Sequence, residues 1–173
     1  MSDSFETFDP ASGLPPTRSS RCATLLKYWN TIRGGRPFPI RDEIDPAELK
    51  PVLPHIMIVG IEYDPFRVCY RLVGTEIVRY AKFDFTGRYA DSLQFQDDEA
   101  ADWTIYYRAV IDARRPGIGQ TDWTVSGSIK RWMEFVICPL SSAGGRIDRC
   151  IAIEDYEHTS RLELSRLPPV AEQ

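Results

Sequence analysis

The sequence predicts an α+β fold: an amphipathic helix, two extended segments, short helical pieces, a long helix and then three consecutive extended segments. Three observations carry this. Phe66, Val68, Tyr70 and Leu72 alternate with Arg67, Cys69 and Arg71 until Gly74 breaks the run, the period-2 signature of a strand with one apolar and one wet face. Two stretches show helical spacing instead: Cys22, Leu25, Leu26, Trp29 and Ile32, then Ala100, Trp103, Tyr107, Val110 and Ile111. The last third holds three apolar runs separated by Ser and Gly clusters, which read as strands joined by turns.

In chain order, residues 1–18 carry Pro10, Gly13, Pro15 and Pro16 with little periodicity, so a flexible leader is expected there. Arg21 to Arg33 is an amphipathic helix closed by Gly34-Gly35. Pro37 and Pro39 force an extended link. Asp45, with Pro46 behind it, is placed to cap a short helix that Pro51 and Pro54 stop. His55 to Tyr63 is a nearly unbroken apolar strand that turns at Asp64-Pro65 into the Phe66 strand, giving a hairpin. Thr75 offers a hydroxyl to cap a short helix with Ile77, Val78 and Tyr80, and Gly87 permits the turn after it. From Asp97, an acidic helix start leads to Arg114-Arg115-Pro116-Gly117. Ile118 to Val125, Arg131 to Leu140 and Arg146 to Tyr156 complete the strands. The domain is expected over 19–163, and 164–173, with Pro168-Pro169, reads as a flexible tail.

At 173 residues, with 43% hydrophobic and 12% aromatic content, the chain can bury one real core. Its 21 basic and 25 acidic residues leave a net charge of -4, which argues against a nucleic-acid surface. No apolar run approaches the roughly 18–20 residues of a membrane span, and the start of the chain lacks a basic region followed by an apolar core. A cytoplasmic protein without membrane insertion is expected. Cys22, Cys69, Cys138 and Cys150 have no paired spacing and read as reduced structural thiols. His55 and His158 are the only histidines, so the sequence writes neither a metal site nor a Cys-His catalytic pair. Asp97-Asp98-Glu99 is explained by the helix dipole, and no catalytic residue is assigned.

With these elements placed, the chain resembles the PAS domain, and in detail the bacterial family of small stand-alone or tandem PAS regulators. The resemblance rests on Tyr28-Trp29, Arg33-Gly34-Gly35, Pro39, Ile44-Asp45-Pro46, Tyr70-Arg71-Leu72-Val73-Gly74-Thr75, Thr86-Gly87-Arg88 and Pro139-Leu140. It covers about residues 21–157. It implies a five-stranded antiparallel sheet with helices on one face and an N-terminal flanking helix. Haem-binding relatives commonly use a histidine on or near the connector helix, and Asp97 to Arg114 has none. Flavin-binding light sensors carry Asn-Cys-Arg in the short-helix region, where this chain has Tyr89 and Ala90. Neither haem nor flavin is therefore expected, though another small ligand fits the family.

A PAS-type pocket between sheet and helices would draw on Tyr70, Trp103, Tyr107, Phe135 and Ile151. Arg71 and Arg88 are candidates for an anionic ligand. Leu25, Leu26 and Trp29 either cover the domain's own sheet or meet a second copy, and as dimer-surface candidates they suit a homodimer. The function expected is a sensory or regulatory module that binds a small ligand or a partner and signals through an unidentified signalling protein. The rivals are a small enzyme of hotdog or cone-shaped isomerase type, and a ligand-free interaction scaffold with a filled core.

Overall fold

The computed structural model describes residues 4–93, 102–126 and 129–156, with the backbone alone for 123–126 and 129–131. Its centre is a six-stranded antiparallel sheet built from β1 (Ser4–Thr7), β2 (Ile56–Tyr63), β3 (Phe66–Val73), β4 (Gly117–Ser126), β5 (Ile129–Leu140) and β6 (Arg149–Tyr156), in the order β1-β4-β5-β6-β2-β3. The two strands and the three-strand meander expected from alternation are present. β2 and β6, far apart in sequence, pair as Ile56↔Ile153 through Gly60↔Arg149 and join the two halves.

Strand pairing fixes which side chains share a face, because cross-strand partners point the same way. Glu134↔Asp155, Val136↔Ile153 and Cys138↔Ile151 lie on one face; Met133↔Tyr156, Phe135↔Glu154 and Ile137↔Ala152 lie on the other. Helix α1 (Ser20–Arg33) covers the first face. Its Cys22, Leu25, Leu26 and Trp29 are almost wholly buried, Cys22 Sγ donates to the Glu134 carbonyl at 3.6 Å, and Trp29 Nε1 donates to the Pro139 carbonyl at 2.9 Å. Helices α2 (Thr75–Ala81) and α3 (Thr104–Ala113) lie against the second, α2 through Tyr80 stacked on Tyr156 and α3 beside Phe135. The helices thus divide between the two faces.

Carboxylates anchor the start of α1. Glu134, with no exposed surface, accepts from the backbone N–H groups of Arg18 and Ser19 at 3.0 Å each and from Gln120 Nε2 at 3.2 Å. Asp155 accepts from Ser19 Oγ at 2.6 Å and Arg21 Nη1 at 2.7 Å. Ser19 Oγ in turn accepts from the N–H groups of Arg21 and Cys22, a complete N-cap. Two acids at the positive end of a helix also suit its dipole.

Several local expectations are corrected. The leader is not uniformly irregular: Ser4–Thr7 pairs with β4 as an edge strand, which raises the strand count from five to six. No helix follows Asp45; its carboxylate accepts from Ala47 N at 2.8 Å, but the prolines leave only turns before a 3-10 turn at Leu53–His55. Thr75 does not cap α2, whose N-cap is Gly74; the backbone already turns there, so Thr75 enters the first helical position. The connector helix begins at Thr104, with Asp102 Oδ1 accepting from Thr104 N at 3.0 Å; the expected cap at Asp97 lies outside the described residues. The expected tail lies outside them too. Leu72 breaks the predicted apolar face and is 47% exposed, because a register shift between Ile58 and Val59 interrupts the β2–β3 alternation. No helix among the described residues is long and apolar enough to cross a membrane.

Candidate functional site

Among the described residues, the space between the sheet, α2 and the entry of α3 holds a chamber of about 10 Å³, the room of one water molecule. β3 contributes Tyr70, α2 contributes Ile77 and Ala81, and the following turn contributes Phe85. Trp103 comes from the entry of α3, and β6 supplies Glu154 and Tyr156. Tyr70 and Phe85 meet edge to face at 4.7 Å between ring centres, and Tyr80 stacks on Tyr156 at 4.2 Å. Aromatic rings make up much of the chamber's wall.

Glu154 is the chemical exception. Alternation along β6 turns it inward with Ala152 and Tyr156, and it is buried. The Tyr156 hydroxyl donates to its Oε2. Burial pushes its carboxyl up to about 7, with the Tyr156 hydrogen bond opposing that rise. Burial likewise raises the hydroxyls of Tyr70, Tyr107 and Tyr156, and the nearby Glu154 adds to each. The Glu154 carbonyl meets His55 Nδ1 at 3.1 Å; burial first, then Arg21, lowers that imidazole. The chamber therefore holds one acid that exchanges its proton near neutrality inside an apolar wall.

Of the residues picked from sequence, Tyr70 and Trp103 line the chamber. Tyr107 is buried on α3. Phe135 packs behind the wall, 5.1 Å from Trp103 and 5.3 Å from Tyr106. Ile151 is misplaced: its register with Cys138 puts it on the α1 face, with the sheet between it and the chamber. Arg71 and Arg88 also stay outside. Arg71 is exposed, 3.9 Å from Glu62, and the exposed Arg88 offers its carbonyl to Tyr70 N at 2.9 Å. Leu25, Leu26 and Trp29 do not form an exposed dimer surface, because α1 uses them to cover its own sheet. Glu154 was missed, although a charged residue at an inward strand position was visible in the alternation of Ala152, Glu154 and Tyr156.

A second concavity of about 580 Å³ opens at one end of the sheet, between Ile61–Asp64 and the Ser141–Asp148 connection. Arg146 lies over the Tyr63 ring at 3.5 Å, among Glu62, Asp64 and Asp148. Three carboxylates against one guanidinium leave this lining net acidic. The thiols of Cys22, Cys138 and Cys150 are buried and pushed up by that burial, which leaves them poor nucleophiles. No group of three metal-ligating side chains occurs among the described residues.

The PAS domain family matches residues 17–153. Among solved structures, an RNA-binding Light-Oxygen-Voltage receptor superposes with a TM-score of 0.52 at 16% identity, over 95% of this chain and 41% of that one. This chain spans less than half of the receptor's length, and the likeness is one of fold. No curated protein matches the chain by sequence.

Proposed function

The chain belongs to the PAS domain family, and on that premise we propose that it is a non-enzymatic regulatory module that works by contact with other protein chains, a second copy of itself among them. The carrying observation is the filled interior. Ligand pockets commonly occupy about 300–1,000 Å³; among the described residues the chamber between sheet and helices holds about 10 Å³, and the concavity of about 580 Å³ lies at the end of the sheet and not in the interior. Tyr70, Phe85, Trp103 and Tyr156 occupy the place that a ligand would take. The interior then serves as a packed support, and the output lies at the surface.

Native mass spectrometry of the full chain, set beside a denatured sample, tests this reading. The expected spectrum shows a dimer whose mass is twice that of the polypeptide. A stoichiometric organic molecule released on denaturation would overturn the filled-interior reading, and so would a visible absorption band in the purified protein.

A further inference from the structure

The chamber under α2 is mostly apolar, yet Tyr70 of β3 and Glu154 of β6 bring a hydroxyl and a carboxyl to its lining. Both residues are more than nine-tenths buried, Tyr70 at 3% and Glu154 at 7% exposure. They stand close enough for the Glu154 charge to raise the Tyr70 hydroxyl, and no hydrogen bond joins them. Among the described residues, the Tyr156 hydroxyl is the donor that reaches the Glu154 carboxyl, at Oε2. Buried polar groups that lack a protein partner are satisfied by water, and the chamber has room for one molecule.

The described elements packed around Glu154 give its carboxyl no counter-charge. On α2, Tyr80 stacks on Tyr156, Arg79 pairs with Glu76, and the charge acting on Lys82 is that of Arg79. Tyr107 of α3 is buried, and Phe135 of β5 stands opposite Glu154 in register. His55, ahead of β2, meets the Glu154 carbonyl instead of its carboxyl, and burial lowers that imidazole. Further along β6 the Cys150 thiol is pushed up by burial. Asp155 and its partner Arg21 lie on the α1 face.

One hydroxyl and one water suffice for a neutral carboxyl, which donates once and accepts with its remaining oxygen. A carboxylate offers about four acceptor sites and is far costlier to keep dry. Proton release therefore calls for more water than the closed chamber holds. The sheet side is fixed, since β3 and β6 are both laddered to β2. The helix side is not: α2 has seven residues between Gly74 and the left-handed Lys82, and a helix that short has little stability of its own. Its Ile77 and Ala81 close the chamber.

We propose that the chamber holds one water bridging the Tyr70 hydroxyl and the Glu154 carboxyl, and that loss of the Glu154 proton releases α2 from the sheet and lets solvent in. The proton passes to solvent water and no covalent bond between heavy atoms changes. With the carboxyl at about 7, the change falls near neutrality. The device gives a contact module an input, protons, and carries it to an outer layer of the domain. It stands whether or not copies of the chain associate.

Hydrogen exchange of the full chain at pH 6 and pH 8, with labelling times scaled to the intrinsic rate, reads the opening. The α2 peptide should lose about tenfold in protection between the two, the factor set by a carboxyl at about 7 when closed and 4.5 when open. It should also exchange faster than the β5 and β6 peptides throughout. Glu154→Gln should hold α2 protection within roughly twofold, since it has no proton to release. Exchange of α2 only in step with the strands, or the same tenfold loss in Glu154→Gln, overturns the opening. If Glu154→Gln lacks the native circular dichroism spectrum, Tyr156→Phe carries the test over a series from pH 5 to 9. It removes the bond that opposes the rise, so the loss of protection should move to higher pH; an unmoved midpoint overturns the proposal. In a crystal grown at pH 6, an ordered water within hydrogen-bond distance of Tyr70 Oη and the Glu154 carboxyl is expected, and a chamber without one overturns the bridge.

Discussion

Glu154→Gln should change the slope of stability against pH. In the folded chain the carboxyl sits at about 7 instead of its ordinary 4.5. Between those values the folded state holds a proton that the unfolded chain has released, so stability is fully present at low pH and falls as pH rises toward 7. At 1.36 kcal/mol per pH unit the displacement corresponds to about 3 kcal/mol. His55 acts in the opposite sense: its lowered value means that the unfolded chain gains a proton first as pH falls below 6.5, which costs stability on acidification. The wild-type profile mixes both, whereas the difference between Glu154→Gln and wild type isolates Glu154. Gln keeps an acceptor for the Tyr156 hydroxyl and cannot ionise. Urea denaturation at pH 5, 6, 7 and 8, followed by fluorescence, should show the variant gaining about 1–3 kcal/mol on wild type between pH 5 and 8. A difference constant within 0.5 kcal/mol across that range, roughly the error of such measurements, would show that Glu154 titrates normally and refute the burial argument.

Two further perturbations address the other face. Glu134→Leu removes the acceptor of Arg18 N, Ser19 N and Gln120 Nε2 and strands the buried Ser19 N–H, so a loss of about 3 kcal/mol is expected; an unchanged melting temperature would mean that α1 starts without this anchor. Leu26→Ala should cost about 2–5 kcal/mol in urea and leave the subunit count by light scattering unchanged. A loss under 1 kcal/mol together with a smaller assembly would return Leu26 to the surface between copies.

The sheet and α1 were legible because their apolar periodicity is long: α1 repeats over four turns, and β4–β6 run through three apolar segments. β1 was not. Its pattern contains a single apolar anchor, Phe5, and that residue's partner is a slot created by Gly117 and Gly119, more than a hundred positions away. The Glu134 and Asp155 anchors were hidden for the same reason, since their donors at the helix start belong to residues 18–21. Leu72 followed the alternation, but Arg71, left over in the same strand between the pairs Ile58↔Leu72 and Val59↔Tyr70, shifts it to the other face. In the chamber, Tyr70 and Trp103 could be chosen by type and element. Ile151 failed on parity, because an apolar residue in a central strand buried on both faces carries no sign of which face it joins. Glu154 did carry one, a charge where the inward pattern called for an apolar side chain.

Trp29 and Trp103 sit on opposite sides of the same sheet, Trp29 with no exposed surface. Each layer therefore has its own optical reporter. With Trp123 and Trp132 replaced by Phe, and Trp29 or Trp103 retained one at a time, the emission maximum follows solvent entry under α1 or under α3 separately. Movement of both bands at one urea concentration would mean that the layers melt as one body. An earlier red shift from Trp29 would give the helix ahead of the sheet its own, lower free energy of release.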